Sequence, residues 1–118
     1  MSEYQLKKSE SKIQQEIWSY FWNTFCLPKH EPREMIFHVP NENQHRLIRI
    51  GVYPGCSDLV ISWRGSIYFV EVKTEKGRQS LNQEQFERHC NQSGFIYVLV
   101  RSLDEFKEFL LSLGDGVQ

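Results

Sequence analysis

The sequence has no apolar run near the ~20 residues that span a membrane. Its opening stretch, MSEYQLKKSESK, carries no apolar signal core. Both absences lead us to expect an intracellular protein. Cysteine is scarce: Cys26, Cys56 and Cys90 lie far apart, with neither a C-x-x-C pair nor the Cys/His spacing of a zinc finger. An odd count of this kind is expected to stay as reduced thiols, with Cys56 in a turn and Cys90 packed in a helix. Neither sign of charge dominates. A net charge of −1 excludes a protein held on nucleic acid by bulk charge alone, though not an enzyme whose acids bind metal. No repeat, low-complexity tract or linker divides the 118 residues, a length that suits one domain, here taken as 1–118. Hydrophobic residues at 40% and aromatics at 14% supply one core.

What is present is an alternation of helical and strand patterns. Ile13, Ile17, Tyr20 and Phe21 recur at helical spacing, which predicts a helix over about 10–24, with Ser11 and Gln14 as its capping box and Pro28 beyond its end. MIFHV (35–39) reads as a strand, RLIRI (46–50) as a weaker one, and Pro54-Gly55 as a turn. Two apolar strands, 58–63 and 66–73, follow. A helix over about 81–92 is capped by Ser80 and stopped by Gly94. FIYVLVR (95–101) is a continuous apolar strand of the kind buried on both faces. A last helix starts at Ser102, with Glu105 completing a capping box, and ends at Gly114. The order is α-β-β-β-β-α-β-α. The strand–helix–strand stretch from 66 to 101 favours a parallel crossover, so the expected fold is α/β: a mixed sheet flanked by helices.

The hairpin PGCSDLVISWRGSIYFVEVK (54–73) carries charges that a core hairpin would avoid. A two-residue turn at Arg64-Gly65 pairs Trp63 with Ser66 and sets Asp58 opposite Glu71, with Lys73 on the same face. Like charges facing each other on a sheet are destabilising, and more so where screening is poor. A divalent cation between the two acids removes the penalty, and hard oxygen ligands suit Mg²⁺ or Mn²⁺. The alternative, which the pairing alone leaves open, is two strand-end acids in solvent with Lys73 as an ion-pair partner. Glu16 lies between Ile13, Ile17 and Tyr20 on the first helix. A carboxylate on a core face needs a partner; it either flanks the same cation or reaches solvent from the edge of the stripe. Gln83 either contacts a water or a phosphate at the start of its helix, or serves only as the partner of Ser80 in a capping box.

Asp58, twelve residues, then Glu71-Val72-Lys73 resembles the PD-(D/E)xK nuclease signature. With HVPNE (38–42), GVYPGCSDLVI (51–61), VEVKTEKGRQS (70–80), Gln83 and GFIYVLVRS (94–102), the chain from about 10 to 110 resembles the VRR-NUC family of virus-type replication-repair nucleases. The resemblance implies a restriction-endonuclease-like core. It implies catalytic roles for Asp58, Glu71, Lys73, Gln83 and Glu16. Asp58, Glu71 and the Val72 carbonyl would be metal ligands, with Glu16 a further candidate ligand, and Mg²⁺ or Mn²⁺ the cofactor. Lys73 would orient the attacking water or neutralise charge on the phosphorane. Cys56 stands where the family often has a small aliphatic residue.

The implied reaction is phosphodiester hydrolysis in DNA leaving a 5′-phosphate. Lys76, Arg78, Arg88, Arg46 and Arg49 are the expected DNA contacts, with Lys7, Lys8 and Lys12 as a further basic cluster; each is otherwise a solvated surface charge. Such contacts would be to phosphate and independent of sequence. Stand-alone members of the family resemble junction resolvases, which leads to an expectation of branched DNA and a homodimer. Trp18, Trp22 and Phe25 are either its interface or a thick core. The competing functions are a flap, nicking or restriction-like nuclease, and a non-catalytic DNA-binding subunit of the same fold.

Overall fold

The computed structural model describes residues 8–40 and 55–114. Helix α1 spans Glu10–Phe21. Its N-cap is Ser9, whose hydroxyl accepts the Lys12 N–H, so the Ser11–Gln14 box expected from sequence does not form. Ile13, Ile17 and Phe21 are the buried stripe. The helix continues as a π-helical turn, Trp22–Cys26, two residues past the expected end. In a π turn, residues five apart align, which lets Phe21 and Cys26 both face inward, at 0% and 4% exposure.

Strand β1 (Ile36–His38) leads, beyond the segment 41–54, to β2 (Leu59–Trp63) and β3 (Ser66–Val72). The expected strand at 46–50 lies outside the described residues. Arg64 and Gly65 both take positive φ, 49° and 90°, the geometry of a two-residue hairpin turn. The buried Glu34 carboxylate holds that turn, accepting the Ser62 hydroxyl at 2.8 Å and the Arg64 N–H at 3.0 Å. β2 and β3 pair antiparallel from Leu59↔Val70 to Trp63↔Ser66, the register the sequence implied. β1 pairs antiparallel with β2 on its other side.

Helix α2 (Leu81–Ser93) crosses over to β4 (Ile96–Val100), which pairs parallel with β3 from Tyr68↔Ile96 to Val72↔Val100. The Ser80–Gln83 capping box is complete, and Gly94 ends α2 in the left-handed conformation. Helix α3 (Leu103–Ser112) starts at Ser102, whose hydroxyl accepts the Glu105 N–H. Glu105 returns a bond to the N–H of Arg101 rather than to that of Ser102.

The sheet order is β1-β2-β3-β4. One face packs Leu59, Ile61, Trp63, Val70 and Val72 on α1 and α3, through Ile13, Ile17, Phe21, Phe106 and Leu110. On the opposite face Phe86 of α2 meets Phe69 edge-on at 5.3 Å and Tyr97 at 6.0 Å. β4 departs from expectation. It is the last strand of the order, and Phe95 and Ile96 stay 53% and 43% exposed. An edge strand has one flank in solvent, so an all-apolar run here does not mean burial on both faces. The polar loop between β3 and α2 and the loop entering β2 meet at one end of the sheet, and the charged residues gather there.

Candidate active site

Asp58, Glu71 and Lys73 are buried, at 4%, 0% and 8% exposure. The hairpin does most of the positioning. With Leu59 opposite Val70, continuing the ladder by one step brings Asp58 to Glu71. The Asp58 Oδ2 accepts the Val72 N–H at 2.7 Å, which fastens the loop carboxylate to the β3 backbone. Lys73 follows the end of β3, and its backbone N–H bonds the Val100 carbonyl at 3.1 Å. Its Nζ reaches to 3.8 Å from Glu71 Oε2.

Gln83 completes the capping box expected of its position and also reaches the acid pair. Its Oε1 accepts the Ser80 N–H at 2.8 Å, completing the cap of α2. Its Nε2 donates to Glu71 Oε2 at 2.6 Å. The cap residue therefore also orients the central carboxylate. Gly55 sets the approach of the Asp58 loop to the same helix turn. It has φ +77°, and a side-chain carbon there would collide with the Asn82 carbonyl. Only a glycine lets the loop backbone lie against the start of α2.

The electrostatics follow from this packing. Burial, and then repulsion from Asp58, push the Glu71 carboxyl up to about 9, against a partial offset from Lys73. Glu71 is thus protonated at neutral pH without a further cation. The Tyr97 hydroxyl, which accepts from Gln79 Nε2 at 2.9 Å, is pushed up by burial and then by the Glu71 charge. Glu71 Oε1 is buried with no hydrogen-bond partner among the described residues. A buried carboxylate oxygen without a donor calls for explanation. A hard divalent cation fits this donor set: two adjacent carboxylates, one with an unused oxygen, and too much negative charge for the pair to ionise unaided. No group of three or more His, Cys, Asp or Glu side chains is placed to hold a metal among the described residues.

Glu16 is not brought to this pair. Its carboxylate binds Lys8 at 2.8 Å, on the wall of a cleft of about 740 Å³ shared with Thr74, Glu75, Lys76 and Arg101. The α1 acid that approaches the site is Glu10, whose Oε2 lies 3.9 Å from Lys73 Nζ. Six residues separate the two acids, which puts Glu16 ~240° further round a helix of 3.6 residues per turn. Glu10 lies three residues before Ile13 and seven before Ile17, so it extends the buried stripe itself; this was the signal available in the sequence. One turn along, Gln14 Nε2 lies 3.0 Å from His38 Nδ1, and that nitrogen lies 3.0 Å from the Asp58 carbonyl oxygen. The Val39 N–H also donates to the Asp58 carbonyl at 2.8 Å, so the chain at β1 braces the backbone of Asp58.

Lys76, Arg78 and Arg88 are exposed, the first two on the loop after Lys73 and the third on α2. Arg46, Arg49 and Lys7 lie outside the described residues. Lys12 is exposed, and Lys8 is the partner of Glu16. Of the aromatic trio, Phe25 belongs to the core, with its ring 4.7 Å from Trp63. Trp18 and Trp22 stack on each other at 5.1 Å, with Trp22 exposed. No helix among the described residues is long and apolar enough to cross a membrane.

No protein-family model matches the sequence, and no curated protein does. Among solved structures the chain is similar to a VRR_NUC domain protein, with a TM-score of 0.72 and 19% sequence identity over 92% of this chain and 89% of that one. A likeness of that extent at so low an identity speaks for architecture. The hairpin, the parallel crossover and the flanking helices make up the restriction-endonuclease-like α/β fold of a VRR-NUC domain.

Proposed function

We propose that this chain is a nuclease of the VRR-NUC family: a single domain, 1–118, that hydrolyses phosphodiester bonds in DNA with the help of Mg²⁺ or Mn²⁺. The observation that carries the reading is the buried acid pair, Asp58 with Glu71, beside Lys73. Glu71 Oε1 has no partner and its carboxyl is pushed up to about 9. A fold would not keep two such acids together for stability. The overall likeness to a VRR_NUC domain protein supports the same reading.

In this mechanism Asp58 and Glu71 would hold the cation, together with the Val72 carbonyl. When bound, the cation supplies Lewis-acid polarisation of the scissile phosphate and lowers the pKa of a water. Gln83 Nε2, donating to Glu71 Oε2, fixes that carboxylate's rotamer and leaves Oε1 free to act as a ligand. The Val72 N–H does the same for Asp58 Oδ2. Lys73 Nζ, held between Glu71 and Glu10, is a pre-placed donor for charge that grows on the phosphate oxygens in the transition state. Glu10 offsets the lysine charge in the resting site. Lys76, Arg78 and Arg88 contact the DNA backbone and carry no base readout.

The preferred substrate in this proposal is branched DNA, cut by a symmetric dimer. Two copies would place two sites across a two-fold axis, matching the paired strands of a junction. The test is cleavage of linear, nicked, flap and four-way DNA of one sequence, with Mg²⁺, with Mn²⁺ and with EDTA. Metal-dependent cleavage favouring the junction supports the full proposal. Metal-dependent cleavage favouring a flap or nick retains the nuclease and reassigns its substrate. Binding without cleavage in either metal identifies a non-catalytic subunit.

A further inference from the structure

Arg101, just past β4, has no role in the chemistry above and was not marked by the sequence patterns. Its guanidinium Nη1 donates to three backbone carbonyls of the loop that follows Lys73: Thr74 at 2.6 Å, Gly77 at 2.8 Å and Glu75 at 3.2 Å. The side chain is half-buried and forms no ion pair among the described residues. Its whole polar engagement there is with this one loop. Hydrogen bonds from a cation are stronger than neutral ones, and the two N–H groups of Nη1 are shared among three carbonyls on a segment of four residues.

The loop is in turn packed on the catalytic lysine. The Gly77 N–H closes a turn on the Thr74 carbonyl at 3.1 Å. A side-chain carbon on Gly77 would lie 3.4 Å from Lys73 Cδ and 3.0 Å from Thr74 Oγ1, so the loop lines the lysine stem with room for no more than a methyl between them. Lys73 is otherwise a flexible side chain, with ion-pair distances of 3.8 and 3.9 Å that are loose for a pre-placed donor. Something other than its acidic neighbours has to hold it.

We infer that Arg101 is a positioning residue for Lys73: it straps the Thr74–Gly77 loop down so that Gly77 confines the lysine stem and aims Nζ at the acid pair. The kinetic part of this inference rests on the nuclease reading; the strap itself does not. The route runs from Arg101 Nη1 to the Gly77 carbonyl, from Gly77 to Lys73 Cδ, and along the lysine to Nζ.

Two variants perturb the route from opposite ends. Arg101→Gln removes the guanidinium. Gly77→Ala leaves Arg101 intact but sets a methyl 3.0 Å from Thr74 Oγ1 and 3.3 Å from Thr74 N, which forces open the turn that closes the loop over Lys73; Gly77 does not take positive φ, so this crowding comes without backbone strain. The first readout needs no activity: the rate at which an amine-reactive succinimidyl ester acylates Lys73, followed by peptide mass spectrometry, with exposed Lys107 of α3 as the internal control. Unstrapping should raise Lys73 acylation about tenfold in both folded variants and leave Lys107 unchanged, as expected for a local opening. The second readout is single-turnover cleavage. Arg101→Gln should lose about 10- to 100-fold, the range for a misplaced catalytic group, with DNA affinity little altered. Added to Lys73→Ala it should cost nothing further, because the two act through one side chain.

Wild-type rates of Lys73 acylation in both folded variants would overturn the inference. So would full additivity of Arg101→Gln with Lys73→Ala. Faster acylation in a protein that cuts no DNA would keep the strap and sink the nuclease reading. If Arg101→Gln does not fold by circular dichroism, Gly77→Ala decides alone.

Discussion

Replacing Glu71 with glutamine should stabilise the metal-free protein at neutral pH, and by an amount that depends on pH. In the fold, burial and the Asp58 charge push this carboxyl from 4.5 to about 9. In the unfolded chain it titrates at its ordinary value. The folded state therefore binds the proton more tightly, and the contribution to stability is complete below about 4.5. As pH rises, the unfolded chain ionises freely while the folded one stays protonated, and stability falls until the folded group ionises near 9. At pH 7.5 about three pH units of this window have been crossed. At about 1.4 kcal/mol per unit the loss is roughly 4 kcal/mol, a large share of the stability of a small domain. Glu71→Gln keeps the shape and an acceptor for Gln83 Nε2, and has nothing to ionise. The assay is urea denaturation in EDTA at pH 5 and pH 7.5. The wild type should weaken by several kcal/mol between them and the variant should not. Mg²⁺ or Mn²⁺ should restore the wild type at pH 7.5 and leave the variant unmoved, since a ligand that binds only the folded state adds to its stability. Parallel pH dependence in the two proteins would mean that Glu71 is not held protonated by the Asp58 neighbourhood, and would remove the electrostatic argument for a cation.

Other perturbations separate the members of the site. Asp58→Asn, which still offers an oxygen to the Val72 N–H, should abolish cleavage while preserving the circular dichroism spectrum; residual activity near wild type would exclude Asp58 as a ligand. Lys73→Ala should lower the single-turnover rate by ~10²-fold or more, the scale for removing one transition-state stabiliser, with Mn²⁺ affinity by titration calorimetry unchanged. Glu10→Gln should lower activity more than Glu16→Gln does, because Glu10 is the acid beside Lys73 and Glu16 is occupied by Lys8; the reverse ranking would restore Glu16 to the site.

Much of the candidate site's geometry was legible in the sequence because it is built on one hairpin. Arg64-Gly65 fixes a two-residue turn, the turn fixes register, and register alone sets Asp58 toward Glu71 with Lys73 on the same face. Gln83 was legible for a similar reason: the Ser80 cap pins the start of α2, and the residue at its third position returns toward the strand end. What failed to read were positions set by long-range packing. Glu16 looked right because a helix stripe drawn through Ile13, Ile17 and Tyr20 includes it. The buried stripe is Ile13, Ile17 and Phe21, while Tyr20, which the sequence pattern also included, is only half-buried. That small rotation exchanges Glu16 for Glu10. β4 misled by composition, because six apolar residues in a row say nothing of whether a strand is central or last.

Arg101 shows why the support of a site is harder to read than the site itself. Asp58, Glu71 and Lys73 stand out because each is a charged residue where physics disfavours charge, so a sequence reader can ask what compensates it. Arg101 breaks no such rule. It follows an apolar strand at a helix start, where an arginine reaching solvent is ordinary, and its partners are backbone carbonyls, which have no signature in sequence. Its placement depends on β4 lying parallel beside β3, so that the residue after Val100 falls next to the residues after Val72. The parallel crossover thus does two jobs. It closes the sheet order, and it carries an arginine across 24 residues of chain to the loop that follows Lys73.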